Sequence, residues 1–261
     1  MKDLLNNVVD IAIHAGNAIM DVYGSDDFDV ETKNDESPLT RADLAANTVI
    51  VDALEKLTPN IPILSEESAK APYETRKTWT QFWLVDPLDG TKEFIKRNGE
   101  FTVNIALVEN GKPILGVVYA PVLERTYFAA EGVGAFIKTK GEAAKEIRTA
   151  DFNNEKLKIV ASRSHAGPDL QGFLDNIGDY EVVSMGSSLK LCLVAEGKAH
   201  LYPRLGPTME WDTAAAHAVV NIAGGQVTNL ENKPLTYNKE DLLNPYFMVA
   251  GEPPFEWQDK L

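Results

Sequence analysis

The first stretch of the chain repeats apolar residues with the period of an amphipathic helix. Across residues 4–22 apolar side chains return every three or four positions, and Gly24 follows as a stop signal. A second helix is predicted from about residue 41 to residue 57, because Thr40 and Asp43 have the spacing of a capping box. The N-terminal region is therefore predicted to contribute two helices.

Short apolar runs between Gly or Pro turns follow these helices and predict strands. In the first half, the runs are residues 81–85, 102–108, 114–119, 126–130 and 135–137. They indicate an antiparallel meander that the first two helices cover.

From about Ala150 the pattern changes to alternating strands and helices. The predicted strands are 158–161, 181–184, 199–202 and 247–250, and the predicted helices lie near 169–176, 188–195 and 213–223. This α/β alternation after an α+β first half predicts two packed halves, residues 1–145 and 146–261, rather than two tethered modules.

Composition narrows the function classes. Among the 261 residues, 44% are apolar and 25% charged, with no apolar run near the roughly 20 residues of a membrane-spanning helix. The lone Cys192 fits a reducing compartment, so we expect a cytoplasmic protein, with peripheral association at the inner membrane left open. A net charge of −14 argues against a nucleic-acid partner, and an anionic substrate would need a bound metal or a local basic pocket.

The most informative stretch places two carboxylates after an apolar strand. Residues 82–91 read Phe-Trp-Leu-Val-Asp-Pro-Leu-Asp-Gly-Thr, so a tight turn could aim Asp86, Asp89 and the Leu88 carbonyl at one point. Magnesium prefers hard oxygen ligands of this kind, and Gly90 and Thr91 would add N–H groups for a phosphate. The stretch by itself is equally compatible with a turn-forming aspartate and a helix cap.

Two further carboxylates stand at the ends of other predicted elements. Glu66 follows the apolar run 63–65, and Asp212 opens an Ala-rich helix. Taken singly, Glu66 suits a solvated strand end and Asp212 suits an N-cap.

Three motifs taken in order resemble a known family. Glu-Glu-Ser at 66–68, Trp-Leu-Val-Asp-Pro-Leu-Asp-Gly-Thr at 83–91 and Trp-Asp-Thr-Ala-Ala at 211–215 resemble the inositol monophosphatase superfamily of lithium-sensitive, Mg²⁺-dependent phosphatases. The resemblance covers essentially the whole chain. It implies a layered αβαβα fold and two or three Mg²⁺ ions that bridge an ester phosphate and an attacking water.

The resemblance also implies roles for individual residues. Thr91, beside Asp43 and Glu66, matches the catalytic residues that orient the water. The implied metal ligands are Glu66, Asp86, Leu88 (through its carbonyl), Asp89 and Asp212.

Within the superfamily the chain is most similar to the CysQ-type 3′(2′),5′-bisphosphate nucleotidases, on residues 85–104, 162–165, 186–190 and 202–204. The implied reaction converts adenosine 3′,5′-bisphosphate to AMP and phosphate, with 3′-phosphoadenylyl sulfate as a further candidate substrate. The rivals are an inositol or fructose-1,6-bisphosphate phosphatase and an inactive nucleotide- or metal-binding sensor; a monomer and a homodimer both stay open. The implied substrate contacts are Glu66, Leu88, Asp89, Gly90, Thr91, His165, Gly186, Ser187, Lys190, Arg204 and Asp212.

Overall fold

A computed structural model describes residues 1–25, 31–32, 38–152, 156–161, 168–251 and 253–260. The helices are α1 (Lys2–Tyr23), α2 (Arg41–Leu57), α3 (Tyr73–Arg76), α4 (Thr91–Ile95), α5 (Pro168–Ile177), α6 (Leu189–Ala195) and α7 (Glu210–Ile222). The strands are β1 (Glu31–Thr32), β2 (Pro38–Leu39), β3 (Ile63–Ser65), β4 (Gln81–Asp89), β5 (Thr102–Glu109), β6 (Lys112–Ala120), β7 (Arg125–Ala130), β8 (Gly134–Thr139), β9 (Lys145–Glu146), β10 (Leu157–Ala161), β11 (Tyr180–Ser184), β12 (Leu201–Arg204), β13 (Gln226–Asn229) and β14 (Phe247–Ala250). None of the helices described there has the length and apolarity that crossing a membrane requires.

The first half builds a seven-stranded sheet in the order β3-β4-β5-β6-β7-β8-β9. From β4 onward each strand pairs antiparallel with the next, which confirms the predicted meander. At one edge, β3 instead runs parallel to β4, with Ser65 opposite Val85. This parallel pairing brings the residues after β3 to the same end of the sheet as the end of β4.

The second half builds a five-stranded sheet in the order β11-β10-β12-β14-β13. Strand β10 is parallel to β11 and β12, whereas β14 is antiparallel to β12 and β13. Strand β13 is absent from the sequence-based expectation, because three of its four residues carry polar side chains and it lacks a clear apolar run.

The elements stack into five layers, which confirms the αβαβα architecture. Helices α1 and α2 pack on one face of the seven-stranded sheet. Helices α6 and α7 lie between the two sheets, where their apolar side chains share one core with both. Helix α5 covers the outer face of the five-stranded sheet together with Trp257. The ends of β4, α6 and α7 therefore meet in the interior between the sheets.

Candidate active site

Strand β4 carries two of the predicted ligands at its carboxyl end. The sequence suggested a tight turn there, but β4 continues through Asp89, and its pairing with β5 is irregular between Asp86 and Asp89. The irregularity lets Asp86 Oδ1 accept a hydrogen bond from Leu88 N at 3.0 Å. Gly90, at φ 94°, then turns the chain into α4. The two aspartates thus stand on a strand end inside the sheet rather than on a free loop.

Carboxylates from three separate elements converge there. Ligand oxygens of Glu66, Asp86 and Asp212 all lie within 4.8 Å of one another. Glu66 is held beside β4 by its own N–H, which donates to Val85 O at 3.0 Å. Asp212 lies in the first turn of α7, because that helix begins at Glu210, earlier than predicted; its Oδ2 accepts from Met209 N at 2.8 Å. The simple N-cap interpretation of Asp212 is therefore wrong.

Burial makes this cluster electrostatically costly without a cation. Desolvation, and next the Glu66 carboxylate, raise the pKa of Asp86 well above its ordinary value. The pKa of Asp212 is raised well above its ordinary value by desolvation and then by Asp89. Burial raises the pKa of Asp89 to about 6, although Lys190 opposes the shift. Acceptor-only hard oxygens gathered in this way fit Mg²⁺, which would compensate their charge.

Asp43 uses its two carboxylate oxygens for different purposes. Oδ2 accepts from Thr40 N at 2.8 Å and from Thr40 Oγ1 at 2.6 Å, which is the predicted capping box of α2. Oδ1 accepts from Thr91 Oγ1 at 3.2 Å, so it fixes the first side chain of α4. The capping contact and a contact with a candidate catalytic residue therefore coexist on one buried side chain.

A cationic region borders the carboxylates on the side of α6. Lys190 is only 9% exposed, so its side chain is largely withdrawn from bulk water. Desolvation lowers the pKa of Lys190, while Asp89 works in the opposite direction. Asp89 Oδ2 also accepts from Ser188 N at 2.5 Å. A cavity of about 80 Å³ opens here, and its lining includes Asp89, Ser187, Lys190, Tyr202, Arg204 and Asp212.

Arg204 is a second cation in the lining of this cavity. Its Nη2 donates to Pro207 O at 2.7 Å, which orients the guanidinium. Its buried Nε has no hydrogen-bond partner within the part of the chain that the structure describes. The guanidinium adds positive charge to the lining of the cavity, which favours an anion there.

Two of the predicted substrate-contacting glycines have a steric role as well. A Cβ on Gly186 would lie 2.8 Å from Glu100 Cβ, and one on Gly90 would lie 3.2 Å from Glu100 O and 3.3 Å from Ser187 Cβ. The backbone before β5 therefore passes between the start of α4 and the turn before α6. Any larger residue at Gly186 would push the two halves of the site apart.

Sequence reasoning missed one wall of the site. A second cavity of about 420 Å³ lies against Asp89 and Asp212, and its lining includes Lys92, Glu93, Thr208, Met209 and Leu243. Leu243 reaches it through a bridge between its backbone and that of Met209. No local sequence signal marks such a residue, because a long-range pairing places it there. A larger cavity, of about 630 Å³, lies elsewhere, between α1 and β8, and none of its lining residues was predicted for the site.

One of the predicted substrate contacts is a histidine that the structure does not describe. His165 belongs to residues 162–167, which lie outside the described residues.

The family model for the inositol monophosphatase family matches residues 1–250, and the chain belongs to this family. Mg²⁺ dependence is general for its members, in agreement with the acidic cluster.

Individual members of the family resemble the chain over nearly its full length. The chain is 54% identical to the 3′(2′),5′-bisphosphate nucleotidase CysQ of Escherichia coli strain K12 over 249 residues, which cover 95% of this chain and 99% of that protein. It is 39% identical to the CysQ nucleotidase of Haemophilus influenzae over 259 residues, 98% of this chain and 96% of that one. The crystal structure of CysQ from Bacteroides thetaiotaomicron superimposes with a TM-score of 0.86 at 45% identity, covering 97% of this chain and 98% of that one.

Proposed function

We propose that this chain is a Mg²⁺-dependent 3′(2′),5′-bisphosphate nucleotidase that converts adenosine 3′,5′-bisphosphate to AMP and phosphate. The observation that carries the proposal is the cavity lined by Lys190 and Arg204, which we call the cationic cavity, beside the acidic cluster of Glu66, Asp86 and Asp212. A substrate with two phosphates matches this pair of sites, one phosphate for each. The nucleotidase names of the relatives at 54% and 39% identity support the same activity.

The acidic cluster would hold the metal ions. Glu66, Asp86, Asp89 and Asp212 offer carboxylates, and Leu88 offers its carbonyl; two or three Mg²⁺ ions are proposed. When bound, Mg²⁺ lowers the pKa of a water ligand and stabilises charge on the phosphate and on the leaving oxygen.

The protein's own residues would orient the nucleophile. The Thr91 hydroxyl donates to Asp43 Oδ1, so its oxygen lone pairs remain available to accept from a water held near Glu66. The water oxygen would form a bond to phosphorus and the water would give up one proton, while the bond from phosphorus to the ribose 3′-oxygen breaks and the ribose oxygen takes up one proton. The sum of the step is one proton moved from water to the ribose oxygen. No covalent phosphoenzyme is required.

The cationic cavity would hold the phosphate that is not cleaved. Lys190 and Arg204 supply charge, and Gly186 and Ser187 form the turn against which the phosphate rests. His165 is proposed to lie at the nucleoside. The same contacts suit 3′-phosphoadenylyl sulfate as a second substrate. A sugar monophosphate has no second phosphate, so it would leave the buried Lys190 with only carboxylates of the protein as anionic partners.

Phosphate release from a substrate panel tests the proposal. The panel contains adenosine 3′,5′-bisphosphate, 3′-phosphoadenylyl sulfate, inositol 1-phosphate, fructose 1,6-bisphosphate and AMP, each with magnesium or with a chelator. We expect the highest kcat/KM for the two 3′-phosphorylated nucleotides and no turnover in chelator. A higher kcat/KM for either sugar phosphate would replace the nucleotidase assignment by the sugar-phosphatase alternative.

A further inference from the structure

Three hydroxyl groups form a buried chain between the cationic cavity and β5. We call Ser187, Thr102 and Ser188 the hydroxyl chain. Thr102 Oγ1 lies 3.1 Å from Ser187 Oγ and 2.8 Å from Ser188 Oγ. Ser188 Oγ in turn lies 2.8 Å from Asn104 Oδ1. Thr102, Ser188 and Asn104 are fully or almost fully buried, so the contacts of the chain are shielded from water.

The carboxamide of Asn104 sets the direction of every hydrogen bond in this chain. Each hydroxyl has one proton to donate. With Oδ1 facing Ser188, the Ser188 proton is committed to Asn104, and the Thr102 proton is then committed to Ser188 Oγ or to Asn104 Oδ1 itself. Ser187 must then give its own proton to Thr102, and it has none left for a ligand. All protons of the hydroxyl chain therefore point inward in this arrangement.

That arrangement leaves a buried donor unused. Asn104 is 1% exposed, and its Nδ2 has no hydrogen-bond partner among the described residues. Rotating the carboxamide by half a turn would place Nδ2 where Oδ1 now lies, 2.8 Å from Ser188 Oγ and 3.4 Å from Thr102 Oγ1. Both amide protons then find acceptors, and the group left unpaired is a carbonyl, which proteins tolerate better than an unpaired N–H.

We propose that Asn104 is a positioning residue of the proposed phosphate site: its carboxamide donates to Ser188, the hydroxyl chain runs outward through Thr102, and Ser187 presents its O–H to an anion beside Lys190. This inference rests on the proposed function. The anion is the phosphate that is not cleaved, or inorganic phosphate in its place. The positive charge of Arg204, which lines the same cavity, also favours an anion there.

The test compares KM and kcat for adenosine 3′,5′-bisphosphate and for 3′-AMP, which lacks the second phosphate. Ser187→Ala removes the outward donor, so we expect KM for the bisphosphate to rise about tenfold, with kcat nearly unchanged and KM for 3′-AMP within about twofold of wild type. Thr102→Val removes the hydroxyl that orients Ser187, and we expect a smaller rise of about threefold for the bisphosphate alone. Thr126→Val, a buried threonine on β7 away from the site, is the matched control and should leave both substrates unaffected.

Thr102→Val also distinguishes the two possible directions of the protons in the hydroxyl chain. If the protons pointed inward, this substitution would free the Ser187 proton, and KM for the bisphosphate would stay constant or fall. Either result overturns the proposal, as does a Ser187→Ala enzyme with wild-type KM or an equal rise for both substrates.

Asn104→Asp tests the proposal from the inner end of the hydroxyl chain. A carboxylate only accepts hydrogen bonds, so it forces the protons inward and should raise KM for the bisphosphate as Ser187→Ala does. In the double variant the two effects should not add, because both remove the same donor. Full additivity would show that Asn104 does not act through Ser187. If wild-type enzyme releases phosphate from 3′-AMP but not from the bisphosphate, the proposed function fails and this inference falls with it.

Discussion

The acidic cluster and the cationic cavity are adjacent regions that bury charges of opposite sign. The cluster of Glu66, Asp86 and Asp212 gathers like charges within 4.8 Å, and desolvation raises the pKa values of both aspartates. In the cationic cavity, desolvation lowers the pKa of Lys190. In both regions burial disfavours the charged form, so each is stabilised by a ligand of opposite sign.

Asp89 is the residue that the two regions share. It raises the pKa of Asp212 on one side, and on the other it faces Lys190 and accepts from Ser188 N. Asp89 thus partly neutralises the cationic region, whereas the carboxylates of the acidic cluster raise one another's pKa values. Substitutions on either side should therefore have separable effects, and substitution of Asp89 should affect both.

The largest effect is expected from Asp89→Asn. The substitution keeps the shape but removes the charge common to both regions, so phosphate release should fall by more than about a hundredfold at saturating magnesium. Circular dichroism and the unfolding midpoint should show an intact fold. Asp21→Asn, on an exposed part of α1, is the control and should retain full activity. Near wild-type turnover of Asp89→Asn would disprove its role as a metal ligand.

Lys190→Met tests the cationic side alone. Methionine keeps the apolar stem in the buried position but removes the charge, so KM for adenosine 3′,5′-bisphosphate should rise about ten- to thirtyfold. The KM for 3′-AMP should change much less, because that substrate has no second phosphate to lose. Lys198→Met, at an exposed lysine beyond α6, is the matched control. An equal change in KM for both substrates would mean that Lys190 does not hold the second phosphate.

Lithium tests the acidic side alone. Li⁺ is close to Mg²⁺ in size and prefers the same oxygen ligands but carries half the charge, so it should occupy the acidic cluster without restoring turnover. We expect uncompetitive or mixed inhibition at millimolar or lower concentration, weakened by high magnesium and less marked with sodium. Initial rates at several magnesium concentrations, with potassium chloride matched for ionic strength, provide the measurement. Insensitivity to lithium up to the point at which potassium inhibits would argue against several metals in this cluster.

The smallest expected effect concerns stability against pH. Because folding raises the pKa of Asp89 from 3.8 to about 6, the folded state binds more protons than the unfolded state between these values. The free energy of unfolding of the metal-free protein should therefore decrease as pH rises from 4 to 7, by about 1 to 3 kcal/mol. Magnesium should flatten this dependence, and chemical denaturation with and without chelator would measure it. A metal-free protein whose stability rises over this interval would show that other groups outweigh the cluster.

Much of the fold could be predicted because its elements carry local signals. The capping box of Thr40 and Asp43 gave the start of α2 correctly, and the strand at 247–250 was predicted with its bounds. Strand β13 and the early start of α7 at Glu210 lacked such signals. Their formation depends on pairing with β14 and on packing between the sheets, which a single stretch of sequence does not reveal.

The residues of the candidate site also divide into those that carry a local sequence signal and those that do not. The carboxylates were predicted as metal ligands from the resemblance of three motifs to a known family, and the structure brings Glu66, Asp86 and Asp212 together. Thr102 and Asn104 were part of the resemblance but received no role, because their importance arises only when α6 docks on β5. A polar residue on a buried strand has no distinguishing pattern until its partner from the other half of the chain is known.

The hydrogen bond from Ser188 N to Asp89 Oδ2 joins residues 99 positions apart in the chain. Such a contact requires closure of a long loop, so it forms late in folding, after the local hairpins of the first sheet. Neither half of the chain holds all four carboxylates, so a partly folded chain would lack a complete form of the proposed metal site. Magnesium should then bind the finished protein and slow its unfolding, while it leaves the rate of folding nearly unchanged. The metal ions would therefore bind last, and they would stabilise the contact between two halves that have already packed together.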